Sequence, residues 1–222
     1  MTLRGSSSGS NRLGSADYLF SEFFVSQISP VCISLAEALI DDPFYRAVTI
    51  ESGDDEESRQ AILAEYFDLA IVEAQGIGEV RYAGADGAAL WHTNETSNND
   101  IEIHVAARKQ ALAKLLGARG FDNYLRISES KAEHVPQELF DGWYLSILGV
   151  RPQAQGKGLA QRLLQITLSR ADRQDAICFL ETFNPLSLPF YRRLGFRDEI
   201  RCFEKITERD YWILARQPSS RT

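Results

Sequence analysis

The sequence predicts an α/β (α+β) fold, a single domain on one central mixed, mostly antiparallel sheet flanked by helices. Three observations carry this. Strand and helix signals alternate through residues 143–196, which implies a parallel strand pair with a helical crossover. Two short strand-like runs, GEVRYAG and GAALWHT, flank the Ala85-Asp86-Gly87 turn and predict a hairpin. The chain has 222 residues, 44% of them hydrophobic, enough to fill one core.

The elements follow in order. FFVSQIS, residues 23–29, reads as a first strand ended by Pro30. VCISLAEALIDDPF reads as a helix broken at Pro43, because proline lacks an N–H and clashes with the preceding turn. The charge run ESGDDEESR, residues 51–59, reads as a solvated loop and a helix start, where acids suit the dipole. Between Ser58 and Ala74, Ile62, Leu63, Tyr66, Phe67 and Ala70 recur at helical spacing, and Gly76 and Gly78 close the helix. Residues 96–135 read as helical but irregular, with no chemical motif. DGWYLSILGV is a strand ending at Val150. Leu159, Leu163, Leu164 and Leu168 share one face of a helix ending near Ala171. AICFLETF is a further strand. Asn184-Pro185 starts a short helix, Asn as cap and Pro at the first helical position, and Leu194-Gly195-Phe196 ends it. Two last strands lie around Cys202 and from Tyr211 to Ala215. Residues 19–217 are expected to form the domain, between disordered ends at 1–18 and 218–222.

Bulk properties narrow the function. No run of about 18 apolar residues occurs, so no helix is expected to span a membrane. The start, MTLRGSSSGSNRLGS, lacks the apolar core of a secretory signal. Arg4 and Arg12, with no acid before Asp17, leave an organelle-targeting reading open. Cys32, Cys178 and Cys202 are odd in number and widely spaced, which argues against a disulfide framework or a zinc site. A cytoplasmic protein is expected, with Cys178 a buried inert thiol. The net charge of −7, without a basic stripe, disfavours nucleic acid and mildly favours a cationic substrate.

The stretch VRPQAQGKGLAQRLL, residues 150–164, puts a glycine-rich turn before a helix. Such a turn removes the Cβ atoms that block close approach and aims free N–H groups at an anion. A nucleoside-triphosphate loop is excluded, since Gly158 follows Lys157 and no glycine stands five residues before Gly156. A dinucleotide fingerprint fails at its third glycine, where Gln161 stands. The pattern Q/R-x-x-G-x-G/A is met in full by Gln155, Gly156, Lys157, Gly158, Leu159 and Ala160. A second motif follows in LETFNPLSLPFYRRLGF, with Asn184, Tyr191, Gly195 and Phe196 in order.

On these two motifs the chain resembles the GCN5-related N-acetyltransferase (GNAT) superfamily. LAEALIDDPFYR, GAALW, FLET and LPFYRRLGF look like its puromycin N-acetyltransferase branch. The resemblance spans about residues 25–215 and is strong from Tyr144 to Phe196; residues 96–135, which would lie over the acceptor pocket, do not match.

The resemblance implies a GNAT-like domain with two splayed parallel strands and acetyl-CoA as cosubstrate, without a metal. It implies that Gln155 to Ala160 wrap the pyrophosphate. It also implies that the backbones of Leu148, Gly149 and Val150 pair with pantetheine, one N–H serving as oxyanion donor, and that Asn184 touches the pantetheine arm. Asn184 is equally explained as a helix cap. The implied reaction is acetyl transfer to the amine of a small molecule, with protein or peptide acetylation and a non-catalytic CoA-binding module as alternatives. Tyr191 is the implied acid for the leaving thiolate; its bland reading is packing beside Phe190.

Glu181 is the candidate base or ammonium anchor, since it shares a strand face with Phe179 and Phe183. The alternative pairs it with Arg192 or Arg193. Asp42, Trp91 and Glu181 are the expected acceptor contacts, Asp41 and Asp42 either attracting a cation or capping a helix. His92, beside Trp91, reads as a structural histidine. No nucleic-acid or membrane partner is expected, and the protein is expected to be a monomer or homodimer.

Overall fold

The computed structural model describes residues 28–219. Most of the strand expected at 23–29, and the ends at 1–18 and 220–222, lie outside the described residues; Ile28 and Ser29 are not in a strand. Among the described residues the elements are α1 (Pro30–Leu39), α2 (Pro43–Val48), α3 (Glu56–Ile77), β1 (Gly78–Tyr82), β2 (Gly87–His92), α4 (Asn98–Leu115), α5 (Gly117–His134), β3 (Trp143–Val150), α6 (Leu159–Arg173), β4 (Cys178–Thr182), α7 (Leu188–Arg193), β5 (Asp198–Glu204) and β6 (Arg209–Arg216).

The six strands form one sheet in the order β1-β2-β3-β4-β6-β5. Only β3 and β4 are parallel, joined through α6. Successive side chains of a strand face opposite sides, and β2 sorts its residues accordingly. Ala88 and Leu90 join Leu35 of α1, Leu63 and Phe67 of α3 and Leu112 of α4. Ala89 and Trp91 join Trp143, Leu145 and the α6 residues Leu163, Leu164 and Leu168 on the other face.

Local chemistry explains the helix boundaries. Pro43 starts α2 rather than merely breaking α1, and Asp42 caps it by accepting the Phe44 N–H at 2.9 Å. Asp55 caps α3 through the Ser58 N–H at 3.1 Å. Gly76 does not end α3, which runs on to Ile77. It makes room for α4, because a Cβ there would lie 2.3 Å from the His104 ring.

Residues 96–135 are more regular than their sequence suggests: α4 and α5 each have 18 residues. In α4 only Leu112 is buried, while Ile103 and Val105 are exposed, so no apolar stripe marks it. Leu116 separates them, and α5 starts at Gly117, at φ +68°, where a Cβ would meet the Glu51 carboxylate. Glu51 also accepts the Arg119 N–H at 2.7 Å.

Helix α5 sits tightly on α2 at Gly120, whose absent Cβ would stand 2.2 Å from the Val48 carbonyl oxygen. Gly→Ala inside a helix normally stabilises by up to about 1 kcal/mol. Gly120→Ala is predicted to do the reverse and lower the denaturation midpoint. A raised midpoint would contradict the packing described.

Candidate active site

The site begins where β3 and β4 part. Their ladder joins only Trp143, Tyr144 and Leu145 to Cys178, Phe179 and Leu180. A bulge against β2 then shifts the register: Leu90 faces Ile147 and Trp91 faces Leu145, leaving Ser146 as the extra residue. The Ser146 hydroxyl donates to the Leu90 carbonyl at 3.2 Å.

The bulge reverses which way the backbone points. Before it, the Trp143 N–H bonds the Ile177 carbonyl on the β4 side at 2.8 Å. After it, the Arg151 N–H bonds the Asp86 carbonyl on the β2 side at 2.9 Å. Alternate residues of an antiparallel strand turn both polar groups to the same neighbour. Leu148 and Val150 therefore direct N–H and C=O into the gap, and Gly149 directs its own toward β2. Gly149, expected to lend backbone groups to a cofactor, instead admits α1: a Cβ there would lie 2.6 Å from Leu35 Cδ2.

The glycine turn and Asn184 follow the C-terminal ends of these two parallel strands. Gly156 and Gly158 both have φ +74°, and a Cβ on either would meet nothing within 4 Å. Both Cβ positions thus face open space, and it is the positive φ rather than a neighbouring atom that calls for glycine there. The first bond running back from α6 is Arg162 N–H to the Gly158 carbonyl at 3.1 Å, so the N–H groups of the first turn lack intrahelical acceptors. Gln155 anchors the turn, its Nε2 donating to the Val150 carbonyl at 2.9 Å. Lys157 is exposed and donates to the Gln153 carbonyl at 3.1 Å; Leu159 and Ala160 pack against the α6 core. Asn184 caps the 3-10 turn Pro185–Ser187, accepting the Leu186 N–H at 3.0 Å.

A cavity of about 420 Å³ has Leu148 and Tyr191 in its wall, together with residues from α4 and α5. Helix α4 contributes Arg108, and α5 contributes Tyr124, Ser128 and Lys131. Tyr191 is buried, and desolvation, with the nearby Asp42 charge second, pushes its phenol well above the usual 10. It therefore stays protonated at neutral pH.

Glu181 lines the cavity and is paired, but not with the arginines considered from sequence. Its carboxylate holds the Lys131 ammonium and accepts the Tyr144 hydroxyl at 3.1 Å. Arg192 instead pairs with Glu199 at 2.6 Å. Burial opposes charge on Lys131, but the Glu181 carboxylate more than offsets it and keeps the ammonium protonated. A second pair lies across the cavity: Glu73 holds Arg108 at 2.7 Å, and the guanidinium stacks 4.9 Å from the Tyr66 ring centroid. Lys131, Tyr144, Arg108, Glu73, Tyr66 and Tyr124 were not anticipated, because they converge from separate elements with no shared motif.

The remaining expectations divide. Asp42 reaches the cavity and also caps α2, whereas Asp41 is exposed and pairs with Arg46 at 2.6 Å. Trp91 does not line the cavity. It is fully buried on the α6 face, because the pleat turns it away from its neighbour His92. His92 does line the cavity, with Nε2 3.6 Å from Glu73 Oε2. Glu73 is already engaged by Arg108, and desolvation, then the Arg108 charge, lowers His92 to about 4. Burial pushes the Cys178 thiol up to about 12, as befits an inert core residue. Among the described residues no cluster of His, Cys, Asp and Glu is arranged to hold a metal, and no helix is long and apolar enough to cross a membrane.

The His92 shift makes a stability prediction. The unfolded imidazole takes a proton near pH 6.5, the folded one only near 4. Its contribution is therefore full above 6.5 and lost as the pH falls toward 4. His92→Gln should reduce the loss of unfolding free energy across that window by about 1–3 kcal/mol. Equal losses in denaturation series at pH 6.5 and 4.5 would contradict the burial argument.

A family model described as an acetyltransferase (GNAT) domain matches residues 120–198. An uncharacterised N-acetyltransferase of Schizosaccharomyces pombe is 24% identical over 169 residues, 73% of this chain and 68% of its own. A solved structure described as histone acetyltransferase HPA2 and related acetyltransferase, from Corynebacterium glutamicum, superimposes with a TM-score of 0.58. It is 21% identical, covering 89% of this chain and 95% of that one. Arylalkylamine N-acetyltransferase 2 from Aedes aegypti superimposes with a TM-score of 0.54 at 15% identity, over 86% and 94% of the two chains. The chain thus carries an acetyltransferase (GNAT) domain match over residues 120–198, on a single GNAT-like α/β fold.

Proposed function

We propose that this protein transfers the acetyl group of acetyl-CoA to an amine nitrogen of a small molecule. The observation that carries the reading is the convergence of Leu148, on the open edge of β3, and the protonated Tyr191 on one cavity of about 420 Å³. That volume suits a small molecule. The sequence stretches that resemble puromycin acetyltransferases support the same class of acceptor.

The residues present fit acetyl-CoA. The first-turn N–H groups of α6, behind Gly156 and Gly158, suit a pyrophosphate. The gap-facing groups of Leu148 and Val150 suit the amides of pantetheine, which would pair as an added strand. Asn184, beside the gap, has an amide nitrogen left for the same arm. The thioester carbonyl then lies along β3, and the Leu148 N–H is the donor for the oxyanion formed when the amine attacks.

Tyr191 acts on the departing sulfur. A phenol above 10 is a hydrogen-bond donor at every working pH, but full transfer to a thiolate of pKa about 8.5 runs uphill. The hydroxyl therefore stabilises the developing thiolate; the ammonium loses a proton to solvent to free its lone pair, the C–N bond forms as the C–S bond breaks, and the amide nitrogen gives up a second proton while the thiolate takes one from solvent. Glu181, held between Lys131 and Tyr144, orients the cavity wall rather than serving as a free base.

Thiol release from acetyl-CoA on adding a small amine tests the proposal, with basic peptides run in parallel. Release with peptides alone would move the reaction to protein acetylation. Binding without release from any amine would leave a CoA-holding module. Tyr191→Phe is predicted to lower kcat by about 10²–10³ with the KM for acetyl-CoA unchanged; wild-type kcat would remove the role. Gly158→Glu, which puts a carboxylate in the turn, should abolish CoA binding by calorimetry. Retained affinity would move the pyrophosphate elsewhere.

A further inference from the structure

The charges around the cavity constrain the acceptor. Three carboxyl side chains, Asp42, Glu73 and Glu181, and two basic ones, Arg108 and Lys131, line it. His92 also lines it and is uncharged at neutral pH. Two of the three acids are matched, Glu73 by Arg108 at 2.7 Å and Glu181 by Lys131. Asp42 has no ion-pair partner among the described residues. Burial raises its carboxyl above the usual carboxylate range, and the first-turn N–H groups of α2, Phe44 at 2.9 Å and Tyr45, together with the Lys131 charge, pull it back toward the ionised form. A carboxylate offers about four lone-pair directions, so acceptor capacity remains. Asp42 is also near enough to Tyr191 for its charge to help keep the phenol protonated.

Building on the acetyltransferase reading, we propose that Asp42 binds the acceptor's ammonium beside Tyr191, and that the acceptor carries one cationic nitrogen on an uncharged, largely apolar body. Glu73 and Glu181 are each engaged by a fixed cation, which leaves Asp42 as the one carboxyl of the cavity open to a single ammonium. A second ammonium on the same molecule would extend toward Arg108 and Lys131, both already paired and both repulsive to it. Most of the rest of the wall is aromatic or aliphatic. Phe44, Tyr45 and Tyr66 pack edge to face, with Phe44–Tyr45 centroids 5.2 Å apart and Tyr45–Tyr66 5.4 Å apart. Tyr144 stacks on Phe179 at 4.9 Å. The cation sites on two of these rings are taken, Phe44 by Lys131 and Tyr66 by Arg108. The faces of Phe44 and Tyr66 are thus already engaged, and the aliphatic and Phe side chains of the wall offer apolar surface.

The test uses the full chain, acetyl-CoA and thiol release with three probes: hexylamine, 1,6-diaminohexane and spermidine. Hexylamine should have a kcat/KM at least about tenfold above either polyamine. Asp42→Asn keeps the helix cap, since Asn caps as well as Asp. It should raise the hexylamine KM at least about tenfold and leave the acetyl-CoA KM unchanged. Polyamines used as well as hexylamine, or an unchanged hexylamine KM in Asp42→Asn, would overturn the inference while the thiol released upheld acetyl transfer. No thiol from any amine, these or a wider panel, would instead remove the acetyltransferase reading on which the inference stands.

Discussion

The parting of β3 and β4 after three paired residues is the constraint on which the rest depends. A continuous parallel ladder would use every polar backbone group along β3, since buried N–H and C=O groups are almost always paired. The extra residue at Ser146 changes the phase of the strand, so Leu148 and Val150 present their groups to a gap instead of to β2. The same shift leaves Gly149 committed to β2 and free of a side chain, which lets α1 close over it. A strand edge left unpaired invites another chain. Here the glycine turn, held to Val150 by Gln155, stands at one end of that edge, and Tyr191 lies alongside the cavity it borders.

The second organising feature is the pair of ion pairs that ties the outer helices to the rest of the fold, one to the sheet and one to α3. Lys131 of α5 meets Glu181 of β4, and Arg108 of α4 meets Glu73 of α3. Removing one partner from a buried pair leaves an uncompensated charge, which costs far more than the pair contributes. These contacts therefore fix where α4 and α5 stand over the cavity more than they stabilise the fold. Stability comes from the two apolar layers on either side of the sheet.

Much of the fold was legible because its signals are local. The hairpin, the crossover helix and the cap at Asn184 are each set by neighbouring residues. The glycine turn was legible for the same reason: positive φ at Gly156 and Gly158 is a demand that few other residues meet. The cavity wall was not, because Glu73, Arg108, Lys131 and Tyr144 meet only through tertiary packing. Trp91 and His92 illustrate the limit. They are adjacent in sequence, and only the packing of each sheet face decides that His92 borders the cavity while Trp91 lies under α6. The regularity of α4 was hidden because it buries only Leu112.

The most direct measurement is amide hydrogen exchange with and without coenzyme A. The account predicts added protection at Leu148 and Val150 and across residues 156–160, with little change at Gly149, whose N–H already faces β2. Protection confined to other segments, or none at saturating coenzyme A, would contradict the claim that the gap between β3 and β4 holds the cosubstrate.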